Sequence, residues 1–194
     1  MFIAIDGIDG CGKSTLTKNV VARLRDHGHT VLHTVEPYQR EVRARISQGV
    51  DPFVALSLFV IDRDRHVNDI ILPNRKNIVV TDRYMFSTAA YQGYLLRDLI
   101  PDAVNVIWQS NCALFPRPDR SYIIDIPVDI ALERLRWRRK TDIYEHSDIL
   151  TQVRKNFLYL ARTDPTVCIL DGTLPPDDLC NSVYADFKNR QKIA

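Results

Sequence analysis

Short apolar runs alternate with longer segments of helical spacing along the chain. In the longer segments, apolar side chains recur every three or four residues, as Leu16, Val20 and Leu24 do. The short runs predict five strands, at Phe2–Asp6, Thr30–Val35, Ile78–Thr81, Ser121–Asp125 and Val167–Leu170. The longer segments predict helices at Lys13–His27, Arg40–Gln48, Pro52–Leu72, Met85–Asp98, Asp102–Ser110, Val128–Arg138, Asp148–Ala161 and Pro176–Arg190.

This alternation is typical of an α/β protein in which helices cover both faces of a parallel sheet. A chain of 194 residues has the length of one domain, and no linker or internal repeat interrupts the pattern. We therefore expect a single three-layer α/β domain over residues 1–194.

The segment between the first strand and the first helix has the spacing of a phosphate-binding loop. Residues 7–14, GIDGCGKS, match the pattern G-x-x-x-x-G-K-[ST]. Glycines let backbone N–H groups approach phosphate oxygens, and the helix N-terminus favours negative charge. The lysine reaches the terminal phosphates and the serine offers an oxygen to Mg²⁺. The predicted ATP-binding residues are Gly7, Ile8, Asp9, Gly10, Cys11, Gly12, Lys13, Ser14 and Thr15.

Composition narrows the possible partners. The net charge is +2, which is too small to indicate electrostatic attraction to nucleic acid or to a membrane surface. No apolar stretch is long enough to cross a bilayer, and the chain begins without the features of a leader peptide. The four cysteines form no C-x-x-C pair and indicate reduced thiols. We expect a soluble, cytoplasmic protein that binds neither nucleic acid nor membranes.

Two further segments carry candidate chemistry for a phosphate acceptor. Phe59 and Arg63 are four residues apart on a predicted helix, so they share a face that could hold a flat base. The alternative is a core ring beside a solvated charge. Asp82 and Arg83 follow a predicted strand, where ligands bind in open parallel sheets. Arg83 could hold a phosphate there, and Asp82 could hold the metal; the alternative is a capping aspartate beside a surface arginine.

The densest charge cluster is Arg134–Lys140, in which five of seven residues are positive. Such a run is usually a solvated helix face. At the end of a predicted helix it favours a lid, at about residues 136–147, that supplies charge to a transferring phosphoryl group. The N-K-x-D motif of a regulatory GTPase is not present in the sequence, which favours a small-substrate kinase.

At these residues the chain resembles thymidylate kinases, which phosphorylate dTMP. The resemblance covers essentially the whole chain, and its most specific part is DRY at residues 82–84 with Ser87 and AYQG at residues 90–93. It implies a P-loop kinase fold with strand order 2-3-1-4-5, Mg²⁺ with ATP as donor, dTMP as acceptor, and a homodimer.

The resemblance also implies roles for individual residues. Phe59 stacks on thymine, Arg63 reads a base carbonyl, and Tyr91 packs under the sugar and disfavours a 2′-hydroxyl. The implied dTMP-binding residues are Asp9, Glu36, Pro37, Arg45, Phe59, Arg63, Arg83, Ser87, Thr88, Tyr91 and Gln92, with Arg45 and Arg83 on the phosphate. The implied catalytic residues are Lys13, Arg83 and Arg138. The implied metal-binding residues are Ser14, Asp9 and Asp82, and Arg134 is added to the ATP-binding residues.

The chain departs from the family pattern in the phosphate loop and in the lid. Some members carry an arginine in the loop where this chain has Gly10, so the catalytic arginine should come from the lid, as in the bacterial-type enzymes. Arg138 matches best, with Arg134 and Arg136 behind it. Ile143 stands where a lid arginine is usual, and Arg139 and Lys140 are candidates to replace it. Cys11 replaces a common alanine, which suggests sensitivity to thiol reagents.

Two other functions stay open at this point. In a deoxynucleoside kinase, Glu36 would deprotonate a sugar hydroxyl, whereas a dTMP phosphate is already anionic and needs no protein base. A catalytically inactive nucleotide-binding module would bind ATP without turnover.

Overall fold

The computed structural model describes residues 1–136 and 147–191. Its five strands form one parallel sheet in the order β2-β3-β1-β4-β5, which confirms the predicted fold and strand order. The strands are β1 Phe2–Gly7, β2 Val31–Val35, β3 Ile78–Asp82, β4 Arg120–Asp125 and β5 Val167–Asp171. The helices are α1 Lys13–Asp26, α2 Arg40–Ser47, α3 Pro52–His66, α4 Met85–Leu95, α5 Ala103–Leu114, α6 Val128–Arg136, α7 Ser147–Thr163 and α8 Pro176–Gln191.

Strand β1 lies at the centre of the sheet, between β3 and β4, and all six of its residues are buried. Ile3 is in register with Val80 of β3 and with Arg120 of β4. Helices flank the sheet: α1 packs against α8, and α4 packs against α5 and α7. The carboxyl ends of the parallel strands therefore meet at one edge, where the chemistry of such folds is usually placed.

Three helices differ from the predicted bounds by three residues or more. Helix α4 ends at Leu95 and not at the predicted Asp98. The predicted helix Pro52–Leu72 is a regular α-helix only to His66, and a π-helical turn, Val67–Ile71, follows it. Helix α5 continues to Leu114, past the predicted end at Ser110, because the polar Asn111 finds partners. Its amide donates to the Ile107 carbonyl over 2.8 Å and its oxygen accepts from Arg63.

Candidate active site

The phosphate loop connects β1 to α1 in a conformation that needs glycine. Gly10 and Gly12 have φ angles of +83° and +96°, in the left-handed region that side chains disfavour. A Cβ atom on Gly10 would lie 2.5 Å from the carbonyl oxygen of Ala131. The loop therefore packs directly against the backbone of α6, and this backbone has no room for the arginine that some related loops carry.

Asp9 and Lys13 form the charged centre of the loop. The buried Lys13 donates to the Ile8 carbonyl over 3.1 Å and to Asp9 over 3.3 Å. Asp9 also accepts from Arg83 through the same oxygen, and its second oxygen accepts from the Tyr91 hydroxyl over 2.8 Å. Burial opposes ionisation of Asp9, but the charges of Arg83 and Lys13 outweigh it and hold its pKa well below the usual range.

Ser14 and Asp82 present the oxygens that fit Mg²⁺. The Ser14 hydroxyl donates to one oxygen of Asp82. The other Asp82 oxygen is buried and has no hydrogen-bond partner among the described residues. Hydroxyl and carboxylate oxygens are the donors that Mg²⁺ prefers. Asp9, the third predicted metal residue, has both oxygens engaged with Arg83, Lys13 and Tyr91, so it fits this role less well.

The turn after β3 holds Arg83 in a strained conformation. Arg83 has a φ angle of +70°, and its N–H donates to the Ile5 carbonyl over 2.9 Å. One oxygen of Asp6 accepts from the N–H groups of Tyr84 and Ser87 and from the Ser87 hydroxyl. Asp6 is fully buried, which raises its pKa. Sequence reasoning did not single out Asp6, although it is the one charged residue at the end of an otherwise apolar strand.

A cavity opens beside the phosphate loop, between α2, α3 and α4. It contains nine of the eleven residues expected to bind dTMP; Arg45 and Arg63 do not line it. Its lining residues are Asp9, Glu36, Pro37, Arg43, Ile46, Ser47, Phe59, Arg83, Tyr84, Ser87, Thr88, Tyr91 and Gln92. We call it the acceptor cavity.

Arg43, and not Arg45, reaches the acceptor cavity from α2. Arg43 and Arg45 are both exposed, but they point about 200° away from each other on the helix, and Arg45 does not line the cavity. Arg43 lines the cavity and donates to the Pro37 carbonyl over 2.6 Å. The peptide between Glu36 and Pro37, which both line the cavity, is cis. The signal that could have identified Arg43 is its position one turn before the buried Ile46.

Arg63 lies behind the wall of the cavity, with 1 % of its surface exposed. Its guanidinium donates to Glu36 over distances of 2.5 to 3.3 Å, to Thr88 over 2.9 Å and to Asn111. His66 donates a further hydrogen bond to Glu36 over 2.9 Å. Burial opposes ionisation of Glu36, but the Arg63 charge lowers its pKa. The structure therefore places Arg63 in a buried ion pair that supports Thr88.

Gln92 lines the cavity and carries an unpaired amide oxygen. It is 1 % exposed, and its side-chain oxygen has no hydrogen-bond partner among the described residues. A buried amide oxygen without a partner costs free energy unless a ligand satisfies it. Tyr91, one residue earlier, accepts from the Asp9 N–H over 2.9 Å, and its ring meets Phe157 edge-on. Helix α4 thus connects the cavity to the phosphate loop.

A second cavity lies on the other side of the phosphate loop. Thr15, Arg134 and residues of the β5–α8 connection line it. Arg134 donates to the Cys11 carbonyl over 3.4 Å and to the Gly172 carbonyl over 3.2 Å, so it joins the loop to that connection. The Cys11 thiol is buried and burial raises its pKa, which argues against the expected sensitivity to thiol reagents.

The predicted catalytic Arg138 and most of the predicted lid at about residues 136–147 lie outside the described residues. Arg136 ends the described part of α6, and Ser147 begins α7. Within the described parts of the chain, no helix is long and apolar enough to span a membrane, and no three potential metal-binding His, Cys, Asp or Glu side chains cluster.

Comparison with known proteins identifies the family. The family model for thymidylate kinase matches residues 5–183. The chain belongs to the thymidylate kinase family. A thymidylate kinase from Coprothermobacter proteolyticus is 35 % identical over 97 % of this chain and 99 % of its own. Probable thymidylate kinases from Methanoculleus marisnigri and Metallosphaera sedula are 33 % and 38 % identical, over 97 % and 91 % of this chain and over 94 % and 87 % of their own.

A cleft between the phosphate loop and the ends of β2 and β3 adjoins the acceptor cavity. Five residues line both this cleft and the acceptor cavity: Asp9, Glu36, Pro37, Arg43 and Arg83.

Proposed function

We propose that this protein transfers the γ-phosphoryl group of ATP to dTMP, which gives dTDP and ADP. The observation that carries the proposal is the shared wall of the acceptor cavity and the phosphate-loop cleft, where Arg43 and Arg83 face both spaces. A nucleoside monophosphate in the cavity would place its phosphate beside the terminal phosphate of a bound triphosphate. The thymidylate kinase relatives make dTMP the first acceptor to test.

Catalysis then consists of alignment and charge stabilisation. The acceptor phosphate has a second pKa of about 6, so it is anionic near neutral pH and needs no protein base. Lys13 and Arg83 neutralise charge that develops on the transferring group, and Arg138 of the lid is the proposed third cation. Ser14 and Asp82 would hold Mg²⁺, which supplies further charge to the phosphates.

We propose that three sets of contacts select dTMP. Arg43 and Arg83 bind the phosphate, and Arg43 replaces Arg45 in this role. Phe59 stacks on the base, while the unpaired amide oxygen of Gln92 accepts a hydrogen bond from its edge beside Thr88. Arg63 supports the base site through Thr88 and Glu36, and the ring of Tyr91 excludes a 2′-hydroxyl.

A deoxynucleoside kinase would use Glu36 as a general base. Here Glu36 accepts from Arg63 and His66, and its pKa is lowered, so it is a poor proton acceptor for a sugar hydroxyl. An inactive binding module would not need Lys13, Ser14 and Asp82 in this arrangement. Both alternatives are therefore less well supported than dTMP phosphorylation.

We also propose a cytoplasmic homodimer made of single-domain chains. Helix α3 supports the dimer because it carries the exposed apolar side chains Phe53, Val54 and Ile61, of which Ile61 is 56 % exposed. A face of this kind suits contact with a second copy. Light scattering of the purified protein tests it, and a monomer at micromolar concentration would contradict it.

The test of the function is an acceptor panel of dTMP, dUMP, dCMP and thymidine, each with ATP and Mg²⁺. We expect dTMP to give the highest kcat/KM. Phosphorylation of thymidine with no activity on dTMP would favour the deoxynucleoside kinase. ATP binding without turnover of any acceptor would favour the inactive module.

A further inference from the structure

One face of α3 points toward the segment that precedes α2. Phe59, Asp62, Arg63 and His66 follow the i, i+3, i+4, i+7 spacing of a single helix face. Phe59 lines the acceptor cavity, and Arg63 and His66 bind Glu36. Asp62 does not line the cavity and forms no hydrogen bond with Glu36 among the described residues. The roles proposed above therefore do not explain why a buried aspartate stands at this position.

Asp62 holds two consecutive backbone N–H groups. Its two oxygens accept from the N–H of Tyr38 over 2.6 Å and from the N–H of Gln39 over 2.8 Å. The carboxylate is 1 % exposed, and no ion pair within the described ranges includes it. The oxygen that accepts from the Gln39 N–H also accepts from the Gln39 side-chain amide over 3.3 Å. Burying a carboxylate without a cation is costly, so these three donors stabilise its charge.

The pair of N–H donors explains why the residue is an aspartate. Two donors on adjacent peptides need two acceptor atoms, which a carboxylate has. An asparagine has one acceptor oxygen, and its amide group would point its own donors at the second N–H. Asn and Asp are nearly equal in volume, so a change from one to the other removes this bond with little change in packing.

The segment held by Asp62 determines where α2 begins. Gln39 directly precedes α2, and its own side chain does not cap the helix. Helix α2 has eight residues, which is too few to be stable without external contacts. Arg43 lies in its second turn and reaches both the acceptor cavity and the phosphate-loop cleft. The position of Arg43 therefore depends on the backbone at residues 38 and 39.

We propose that Asp62 is a positioning residue for the acceptor phosphate: by holding the backbone of Tyr38 and Gln39, it fixes α2 so that Arg43 faces the cavity. The inference rests on the proposed function, because it assigns the phosphate of dTMP to Arg43. A residue that only stabilised the fold would affect all ligands of the cavity alike, whereas this role concerns the phosphate alone.

The test compares dTMP with thymidine, which lacks the phosphate, by calorimetric titration of Asp62→Asn. We expect the Kd for dTMP to rise about 10-fold and the Kd for thymidine to change by less than about 2-fold. Asp64→Asn is the matched control, because Asp64 is an exposed aspartate on the same helix, and both Kd values should stay unchanged. Equal weakening of dTMP and thymidine in Asp62→Asn would overturn the proposal.

A double variant tests whether Asp62 acts through Arg43. If it does, Asp62→Asn should weaken dTMP binding by less than about 2-fold when Arg43→Ala is already present. A full, additive loss would overturn the proposal. A wild-type protein that binds thymidine and ATP but no dTMP would instead contradict the proposed function.

Hydrogen exchange provides a measurement that needs no variant, in case Asp62→Asn does not fold. In the wild-type protein the amides of Tyr38 and Gln39 should exchange at least about 100-fold more slowly than in an unstructured peptide. Exchange at the unstructured rate would overturn the proposal.

Discussion

The phosphate loop and the acceptor cavity lie side by side, yet they are constructed in different ways. The loop is one continuous segment whose shape is set mainly by its backbone conformation. Its glycines have positive φ angles, and its lysine folds back onto the loop. The cavity combines side chains from the ends of β2 and β3 and from α2, α3 and α4. Its walls depend on buried ion pairs and hydrogen bonds between residues that are distant in the sequence.

This difference separates two kinds of sensitivity to substitution. In the loop, a change should alter catalysis or backbone strain locally. In the cavity, the directly exposed residues should affect ligand binding, while the residues behind them should affect stability first. The four predictions below test this separation, from the largest expected effect to the smallest.

The buried ion pair behind the cavity should give the largest effect. Arg63→Ala leaves Glu36 as an uncompensated buried charge beside His66. Breaking such a pair costs ~3–5 kcal/mol of unfolding free energy. Chemical denaturation measures it, with Arg65→Ala as the control, because Arg65 is an exposed arginine on the same helix. A loss of dTMP affinity at unchanged stability would show that Arg63 contacts the ligand directly.

Lys13→Ala should lower kcat by roughly 100- to 1,000-fold, which corresponds to ~2.7–4 kcal/mol of transition-state stabilisation. Lys13 should have little effect on folding because its partners are a carbonyl and the already paired Asp9. Steady-state kinetics and thermal denaturation measure the two effects. Lys18→Ala, at an exposed position of α1, is the control. Retention of a tenth of the wild-type kcat would remove Lys13 from its proposed role.

Gly10→Ala should cost more stability than Gly28→Ala, although both glycines have similar φ angles of +83° and +84°. Each alanine brings left-handed strain of ~1–2 kcal/mol. Only at Gly10 does the new Cβ also meet backbone, since nothing lies within 4 Å of the corresponding position at Gly28. That overlap should add ~1–3 kcal/mol. Equal melting temperatures for the two variants would contradict this, because they would mean that α6 shifts away from the new Cβ without loss of stability.

Arg43→Ala should weaken dTMP binding by roughly 10-fold or more, because a hydrogen bond to a charged group contributes ~1.5–3 kcal/mol. Arg45→Ala, two residues later on α2 and outside the cavity lining, should leave the KM for dTMP unchanged. The KM for ATP should change little in both variants. The reverse order of effects would restore the role that the family resemblance implies for Arg45.

The sequence was sufficient to predict the sheet and the phosphate loop because both depend on local spacing. Arg43 and Arg45 show the limit of that local information. Both are exposed arginines on one short helix, and the packing of Ile46 against the cavity places Arg43, and not Arg45, at its wall. Arg63 is a similar case, since its partners Glu36, Thr88 and Asn111 come from three other elements. Asp6 and Asp62 accept hydrogen bonds from backbone N–H groups of segments distant in the sequence. No sequence motif indicates such contacts.

The contact between Gly10 and Ala131 has a consequence for how this protein can evolve. An arginine at position 10 needs a Cβ where the Ala131 carbonyl now lies. A single substitution would therefore pass through a damaged protein before any benefit of the new charge appeared. A loop-borne arginine becomes possible only after α6 has moved away from the loop. The designs with the arginine in the loop and in the lid therefore differ in backbone position as well as in one residue.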